Sequence, residues 1–412
     1  MSYGEARARV LAAAKPLPPE RVPLAEALGR PLREPVVAPH PLPPFRNAAM
    51  DGVAVRSVDL RHASPEAPVV LAVTETLPAG RVSRRTLGQG EAMRIMTGAM
   101  IPEGADAVIP VEELQVTPRT SEAERVAIAR SCAPGEHVRD AGLDLASGEV
   151  ALEAGRALTP HDLALLAALG ESRPLVGGRP RVAVVSTGDE LVPPEAPLEP
   201  GVIRDSNLPM LVALLHECGA RVASAERVGD DASLVSRRLR AALDGAEVVI
   251  TIGGVSAGDF DPVKLSIQAL DGVQLWRVAM RPGQPQAFGA LEGRLFFGLP
   301  GNPASVACVF EALVRPALRK LQGFAHLDRP RLPVRAALEI ESREGRTDFI
   351  RVTLERRGSE WWAAPTGRQV SGHLGPQSRA HALLVVPASS NRLASGESAE
   401  ALLLRWPEEG PS

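Results

Sequence analysis

The stretch Glu247-Val-Val-Ile-Thr-Ile-Gly-Gly254 decides the fold of this chain. A run of β-branched residues ends in two glycines, which is typical of a buried parallel strand that turns into a loop. Two further runs of this kind are Arg181-Val-Ala-Val-Val-Ser-Thr-Gly188 and Leu295-Phe-Phe-Gly-Leu-Pro300. Their alternation with predicted helices indicates an α/β domain over residues 177–325, with a doubly wound, mainly parallel sheet. The other predicted elements of this domain are a strand at Arg221–Val228 and helices at Leu208–Cys218, Ala232–Leu243 and Ala304–Leu321.

The sequence predicts β structure on both sides of this domain. Residues 45–137 contain short alternating runs separated by Gly and Pro, typical of a small β domain. Residues 326–412 contain charged, glycine-rich strand-like runs and predict a C-terminal β domain. Helices are expected at 4–14 and 24–30, and residues 138–176 are expected to be mainly helical.

Composition limits the class of protein. The chain has 412 residues and a net charge of −3, so two to four domains are expected and a general nucleic-acid binder is disfavoured. No apolar run is long enough to span a membrane, and the N-terminus lacks a signal-peptide core. The three cysteines have no metal-ligand spacing, which fits a reducing compartment. We therefore expect a cytoplasmic protein with no nucleic-acid or membrane partner.

The candidate site residues follow the predicted parallel strands. Loops at the carboxyl ends of parallel strands meet at one edge of a sheet, where ligands of such sheets bind. Glycines allow backbone N–H groups to approach a phosphate, and the helix after Pro303 would point its N-terminus at an anion. Carboxylates beside such loops favour Mg²⁺, although capping and turn formation explain each loop taken alone. The candidates in these loops are Thr187, Gly188, Asp189, Glu190, Gly253, Gly254, Ser256, Gly258, Asp261, Pro300, Gly301, Asn302 and Pro303.

Four further segments carry polar residues near predicted strand or helix ends. Ser206 or Asn207 is expected to cap the helix that follows, and the same turn could receive a ligand. Asp230 opens another helix, where capping is an equally good explanation. Arginine guanidinium groups suit phosphate or a tetrahedral oxyanion, and solvated surface charge is the alternative. The cationic candidates are Lys264, Arg277 and Arg281.

Acids and a hydroxyl also stand in glycine turns outside the α/β domain. Asp51 and Thr97 lie in turns of the predicted inserted β domain, and Asp144 lies at its border. Asx-type turns explain each of these alone. Sequence reasoning by itself does not bring them to the α/β domain.

Five ordered motifs together resemble the molybdopterin molybdenumtransferase family, which includes the C-terminal enzyme domain of gephyrin. The resemblance extends over about residues 4 to 406 and implies an elongated homodimer of four-part subunits. Residues 1–44 and 138–176 would form one part, interrupted by the inserted β domain. The motifs are Ala49-Met-Asp-Gly52, Met96-Thr-Gly-Ala99, Ser186-Thr-Gly-Asp-Glu190, Gly253-Gly-Val-Ser-Ala-Gly258 with Asp261, and Leu299-Pro-Gly-Asn-Pro303.

The resemblance also implies an activity. Molybdate and adenylylated molybdopterin would be the substrates, Mg²⁺ the cofactor and AMP a product, and other cofactor-assembly proteins are expected as partners. By motif, Glu190 and Asp261 would hold the metal or orient the substrate. The cationic candidates would hold phosphate or molybdate, and the remaining candidates would bind substrate. The further functional acids would be Asp51, Asp144 and Asp230.

The chain departs from the family pattern in places. Ala48 stands where a Ser is common, and Arg281-Pro-Gly-Gln284-Pro replaces a Lys-Pro-Gly-Lys-Pro run, with the loss of one charge. Ser371-Gly372-His373 matches only loosely. Two other hypotheses stay open: the adenylyltransferase that activates molybdopterin with ATP, and a scaffold that binds a receptor or a pathway protein. The domains outside 177–325 argue against the first, and the acidic loops argue against the second.

Overall fold

The computed structural model describes residues 1–116, 124–255 and 262–407. The chain falls into two compact units. The division into four parts stays a prediction. One unit contains Met1–Glu34, Ala154–Leu163 and Arg173–Ser412, and the other contains Pro35–Glu153 and Ala164–Ser172.

A six-stranded sheet forms the centre of the first unit. Four neighbouring strands run parallel, as the alternation of strand and helix predicted, and two strands at one side run antiparallel. The antiparallel pair was not predicted. In spatial order the strands are Arg221–Val228, Arg181–Thr187, Val248–Ile252, Arg294–Leu299, Pro285–Leu291 and Val273–Arg277.

Helices cover both faces of this sheet. Along the strand Arg181–Thr187, Val182 and Val184 enter the core on one face, and Ala183 and Val185 enter the core on the other. Burial on both faces explains why these strands are continuously apolar rather than alternating. The first face packs helices Tyr3–Ala13, Asn207–Glu217, Pro303–Val309 and Arg315–Gln322, with a π-helix at Phe310–Val314 between the last two. The second face packs helices Ala232–Gly245 and Pro262–Gln268.

The strands after residue 330 close into a five-stranded barrel. The strand Thr347–Arg357 pairs with neighbours on both sides, and its pairing with Ala382–Val386 closes the ring. Met280–Arg281 adds to the barrel in parallel with Thr347 and Asp348. The other barrel strands are Arg331–Ala336, Glu360–Pro365 and Ser398–Leu403, accompanied by the short pair Ile340–Glu341 and Arg392–Leu393 and the helix Leu374–Arg379.

The second unit is built on another six-stranded sheet with an apolar cluster on each face. Two of its strands, Glu91–Ile95 and Leu114–Val116, were not predicted. Its strands in spatial order are Ala107–Pro110, Gly52–Val55, Glu91–Ile95, Val69–Leu77, Arg125–Ile128 and Leu114–Val116, and the short strands Asn47–Ala48 and Val36–Val37 pair with Val138–Arg139 and Val150–Leu152.

The fold class predicted from the sequence, α/β plus β with several domains, is confirmed. The mainly helical prediction for residues 138–176 is wrong outside Pro160–Ala168, because short strands there pair with distant segments. Near the N-terminus, Leu24–Ala27 is helical and Glu20–Arg21 pairs with Leu175–Val176. Within the described ranges, no helix has both the length and the apolar composition to span a bilayer.

Candidate functional site

The loops after three neighbouring parallel strands meet at one edge of the central sheet. Ile252 is in register with Ser186 on one side and with Leu299 on the other. The Thr187 hydroxyl donates to the Ile252 carbonyl at 3.0 Å, and the Gly253 N–H donates to the Leu299 carbonyl at 3.0 Å. These bonds tie each loop to its neighbour, so the convergence predicted from the sequence is present.

Glycine is required at two positions of this edge. Gly253 has φ +96°, and a Cβ there would lie 2.6 Å from Thr187 Oγ1. Gly188 has φ +148°, and a Cβ there would lie 2.5 Å from Glu190 Oε2. The Glu190 carboxylate therefore lies close to the backbone of its own loop, and the positive φ of Gly188 favours glycine there. Gly301, by contrast, has open space around its Cα.

Asp189 and Asp230 connect the loops after two adjacent strands. The Asp230 N–H donates to Asp189 Oδ1 at 3.0 Å, and the Asp189 N–H donates to Asp230 Oδ2 at 3.4 Å. Gly229 lies beneath this pair, since a Cβ there would be 2.7 Å from Asp189 Oδ1. Each carboxylate thus holds the backbone of the other loop.

A cavity of about 570 Å³ lies at this edge. It contains one exposed acid from the family motifs, Glu190, whose carboxylate forms no ion pair with any described residue. Several predicted residues line the cavity, while Gly188, Asp189, Gly253, Gly254, Asp230 and Pro300 belong to the surrounding loops. The lining residues are Thr187, Glu190, Leu191, Ile203, Arg204, Asp205, Ser206, Asn207, Ile252, Gly301, Asn302, Pro303, Gly372 and Leu374.

Asp205 is a lining residue that sequence reasoning missed. Its Oδ1 accepts the N–H groups of Asn207 at 3.1 Å and of Leu208 at 3.0 Å, and so caps the helix Asn207–Glu217. The prediction that Ser206 or Asn207 supplies this cap is wrong, since Ser206 makes no capping bond and Asn207 is already the first helical residue. An aspartate just before a predicted helix was the available signal.

A loop of the C-terminal barrel completes the cavity. The Ser371 carbonyl accepts the Ala304 N–H at 3.0 Å, and Gly372 lies among the lining residues. The Asn302 carbonyl accepts the N–H groups of Ser305 at 2.9 Å and of Val306 at 3.0 Å. The N–H groups of the first helical turn are therefore already bonded, and the anion expected at this N-terminus would not find a free donor there. The loosely matching Ser371-Gly372-His373 segment nevertheless lies at the cavity.

The guanidinium of Arg351 fixes this barrel loop. The residue is 2% exposed. It donates to the carbonyls of His373 and Val370, both at 3.1 Å, and to Gln369 Oε1, also at 3.1 Å. Burial lowers the pKa of Arg351.

The cationic candidates separate into two places. Lys264 and Arg277 line a second cavity of about 350 Å³, together with Gln284. Arg277 is in register with Pro285, which begins the strand beside Arg294–Leu299, so this cavity lies along the same edge. Arg281 is not a lining residue there, and its Nη1 lies 4.0 Å from Oδ2 of the buried Asp348.

Asp51, Thr97 and Asp144 lie in the second unit. Asp51 Oδ1 accepts the Thr97 N–H at 2.6 Å and the Thr97 hydroxyl at 2.7 Å. Both bonds hold the pKa of Asp51 below its usual value, and the bond from the Thr97 N–H has the larger effect. Asp144 is exposed, and its N–H donates to the Leu42 carbonyl at 2.9 Å.

Three predicted residues, Ser256, Gly258 and Asp261, lie outside the described residues. In the part of the chain that the structure describes, no group of three or more His, Cys, Asp or Glu side chains is placed to hold a metal ion. Cys218 and Cys308 are buried thiols, as expected, and burial raises the pKa of Cys218 to about 11.

Comparison with known proteins identifies the family. Residues 1–170 match the MoeA N-terminal region (domain I and II), residues 183–320 match a probable molybdopterin binding domain, and residues 333–404 match the MoeA C-terminal region (domain IV). The chain is 40% identical to molybdopterin molybdenumtransferase 2 of Mycobacterium tuberculosis over 385 residues, which cover 92% of this chain and 93% of the relative. The chain belongs to the molybdopterin molybdenumtransferase family.

Other relatives agree with this assignment. The molybdopterin molybdenumtransferase of Bacillus subtilis is 33% identical over 94% of this chain and 92% of its own length. The structure of the molybdopterin biosynthesis MoeA protein from Pyrococcus horikoshii covers 98% of this chain and 99% of its own, with a TM-score of 0.82 and 32% identity. The resemblance drawn from the five motifs is thereby confirmed.

Proposed function

We propose that this chain inserts molybdenum from molybdate into adenylylated molybdopterin, with Mg²⁺-dependent release of AMP. Family membership makes the chain a molybdopterin molybdenumtransferase, in agreement with the prediction that it is an enzyme. The adenylylated substrate, the magnesium ion and AMP are the finer part of the proposal. The observation that carries it is the cavity at the carboxyl edge of the sheet, where the Glu190 carboxylate, which forms no ion pair with any described residue, lies beside glycine loops.

The size and lining of this cavity support a substrate with a flat ring and a phosphate. Its volume of about 570 Å³ is in the usual range for small-molecule sites. Ile252 and Leu374 supply apolar surface, and Thr187, Ser206 and Asn302 supply polar groups. The motif residues in the surrounding loops would shape the site rather than line it. They are Gly188, Asp189, Asp230, Gly253, Gly254 and Pro300.

The donor set fits a hard cation. The Glu190 carboxylate forms no ion pair with the described residues and shares the cavity with hydroxyl and amide oxygens, which are the ligands that Mg²⁺ prefers. We propose Glu190 as one metal ligand and Asp261 as another. When bound, Mg²⁺ would neutralise charge on the phosphoanhydride, which is the main requirement of transfer from phosphate. Thr187, Gly188 and Gly253 would hold Glu190 and the neighbouring loops in place.

The second cavity supports an anion. Lys264 and Arg277 line it, and two cationic groups suit a phosphate or a tetrahedral dianion such as molybdate. Gln284 stands in the same lining where a cation is common in the family, so this chain would bind the anion with one charge fewer. We propose that Arg281, held near Asp348, acts at the border of this cavity.

The proposal is tested by AMP release. The chain is incubated with adenylylated molybdopterin, with and without Mg²⁺ and molybdate, and the AMP formed is measured. Full release is expected only when both ions are present, and Glu190→Gln should reduce the rate about 100-fold. Glu195→Gln, an exposed acid in the same segment that does not line the cavity, is the matched control and should keep the rate. AMP release without either ion would contradict the proposal.

The same preparation separates the other hypotheses. An adenylyltransferase would form adenylylated molybdopterin from ATP and molybdopterin in the absence of molybdate, and we expect none. A scaffold would bind its partner proteins equally well with Glu190→Gln. The homodimer, the other cofactor-assembly partners, the cytoplasmic location and the roles of Asp51, Thr97 and Asp144 remain predictions.

A further inference from the structure

Asp205 and Asn207 each have a side-chain oxygen atom without a hydrogen-bond partner among the residues that the structure describes. The two residues are 3% and 7% exposed, respectively. Neither Oδ2 of Asp205 nor Oδ1 of Asn207 is bonded by any group in the described chain. A buried acceptor left unpaired is costly, and both residues line the large cavity at the sheet edge. A ligand in the cavity that carries N–H donors would satisfy these two oxygens.

The orientation of both side chains is fixed by their other bonds. Asn207 Nδ2 donates to the Gly301 carbonyl at 2.6 Å, and a carbonyl only accepts, so the amide oxygen must face away from Gly301. Oδ1 of Asp205 is occupied by the backbone N–H groups of the helix that it caps. The turn thus holds two acceptor oxygens without partners in residues that line the cavity, and it directs the Asn207 amide nitrogen to Gly301.

We propose that this acceptor pair binds the edge of the pterin ring that carries the 2-amino group and the adjacent ring N–H. The inference rests on the proposed function, since it takes the pterin as the substrate. A pair of acceptors matches two neighbouring donors, as this edge provides. Phosphate and molybdate carry no donors, and the adenine edge alternates donor and acceptor. Ile203, Ile252 and Leu374 line the same cavity and supply apolar surface for a flat ring.

The proposed metal ligand Glu190 lies apart from this pair. Leu191 and Val192 pair in parallel with Ile203 and Arg204. Glu190 therefore precedes one end of this two-residue ladder and Asp205 follows the other, an offset of about 10 Å along the strands. The proposed pterin-binding pair and the proposed metal ligand are therefore offset from each other along these strands.

The test compares pterin with lumazine, in which an oxo group replaces the 2-amino group. Binding of each free ring to the full chain is measured by fluorescence. The unmodified chain should bind pterin about 10- to 100-fold more tightly than lumazine, because the oxo group faces the acceptors. Asp205→Asn keeps an oxygen for the helix cap and turns an NH₂ donor toward the ligand. This variant should lose the preference or reverse it in favour of lumazine.

Matched variants keep the test independent of folding. Asp231→Asn changes another helix-capping aspartate, whose Oδ1 accepts the Leu234 N–H at 2.7 Å outside the cavity, and should keep the preference for pterin. Asn207→Ser removes the second acceptor and leaves the Asp205 cap. It should weaken pterin binding about tenfold with little effect on lumazine, and it serves if Asp205→Asn does not fold.

Several outcomes would overturn the inference. Equal binding of pterin and lumazine by the unmodified chain is one, and an unchanged preference in both cavity variants is another. A loss of Mg²⁺ or AMP affinity in Asp205→Asn, with the pterin preference intact, would assign the pair to the cation or to the ribose hydroxyls. A ring preference without AMP release from the adenylylated substrate would sink the proposed function and leave this inference standing.

Discussion

The carboxylates of Asp189 and Asp230 hold each other's loops at the carboxyl edge of the central sheet. Asp189 Oδ1 accepts the Asp230 N–H at 3.0 Å, and Asp230 Oδ2 faces the Asp189 N–H at 3.4 Å. The two loops follow adjacent parallel strands, so the exchange fixes one side of the site on which Glu190 stands.

Two replacements of Asp189 distinguish the effect of its hydrogen bond to the neighbouring loop from the effect of its negative charge. Asp189→Ala removes the acceptor for the Asp230 N–H and should lower the free energy of unfolding by about 1 kcal/mol, with a loss of AMP release of about tenfold. Asp189→Asn keeps an oxygen at the same place and should retain most of both. Urea unfolding and the AMP assay measure the two effects. Equal loss of activity in the two variants would show that the negative charge itself is needed.

Gly253→Ala should destabilise the edge more than its conformation alone requires. The left-handed backbone costs an alanine about 1–2 kcal/mol, and contact with Thr187 adds about 1–3 kcal/mol. Gly293→Ala is the matched control, since Gly293 has φ +85° with open space around it. The difference between the two variants in urea unfolding measures the close approach. Equal losses of unfolding free energy in the two variants would mean that the loop at Thr187 moves aside at no energetic cost.

The pKa of Asp51 should depend on the Thr97 hydroxyl. Thr97→Val removes the hydroxyl bond and keeps the N–H bond, so the pKa should rise part of the way toward the usual value for aspartate. A lowered native pKa stabilises the fold above the unfolded value of about 3.9, and this contribution is lost as the pH falls through the native pKa. Carboxyl titration by NMR measures the change. Thr86→Val, whose hydroxyl donates to Glu103, should leave Asp51 unaffected, and an unmoved pKa in Thr97→Val would refute the assignment.

A buried ion pair joins Arg329, which lies just before the first barrel strand, to Glu311 of the central domain. Arg329 donates two hydrogen bonds of 2.9 Å to Glu311, whose side chain is 4% exposed. Arg329→Ala removes both hydrogen bonds to the buried Glu311 carboxylate and leaves it only Arg315, whose Nε lies 3.7 Å from it, so the free energy of unfolding should fall by about 3 kcal/mol. Arg331→Ala breaks the exposed pair with Glu400 and should cost about 1 kcal/mol or less. Similar losses in both variants of the unfolding experiment would contradict this account.

Much of the central sheet could be predicted because its strands are apolar on both faces. The run from Val248 to Ile252 is continuous, and its glycines mark the end of the strand. The antiparallel strands Val273–Arg277 and Pro285–Leu291 were not predicted, because the charged segment with a Pro-Gly turn between them is typical of a loop. Short segments such as Val150–Leu152 exist only through pairing with distant residues, which periodicity does not report.

The candidate site could be predicted where it depends on local loops. Thr187, Glu190 and Asn302 lie at or just after the ends of strands whose direction the sequence indicates. Gly372 could not be placed, because it reaches the cavity through the fold of the barrel. Asp205 was overlooked because its neighbours are equally good capping residues, and only the geometry shows which of them makes the cap.

The most direct test of the central claim measures AMP and pterin-bound molybdenum in one sample. The chain, adenylylated molybdopterin, Mg²⁺ and molybdate react and are then stopped at intervals. Equal amounts of AMP and pterin-bound molybdenum are expected at every time, and almost none of either with Glu190→Gln. AMP released without molybdenum on the pterin, or molybdenum on a pterin that keeps its AMP, would contradict this claim.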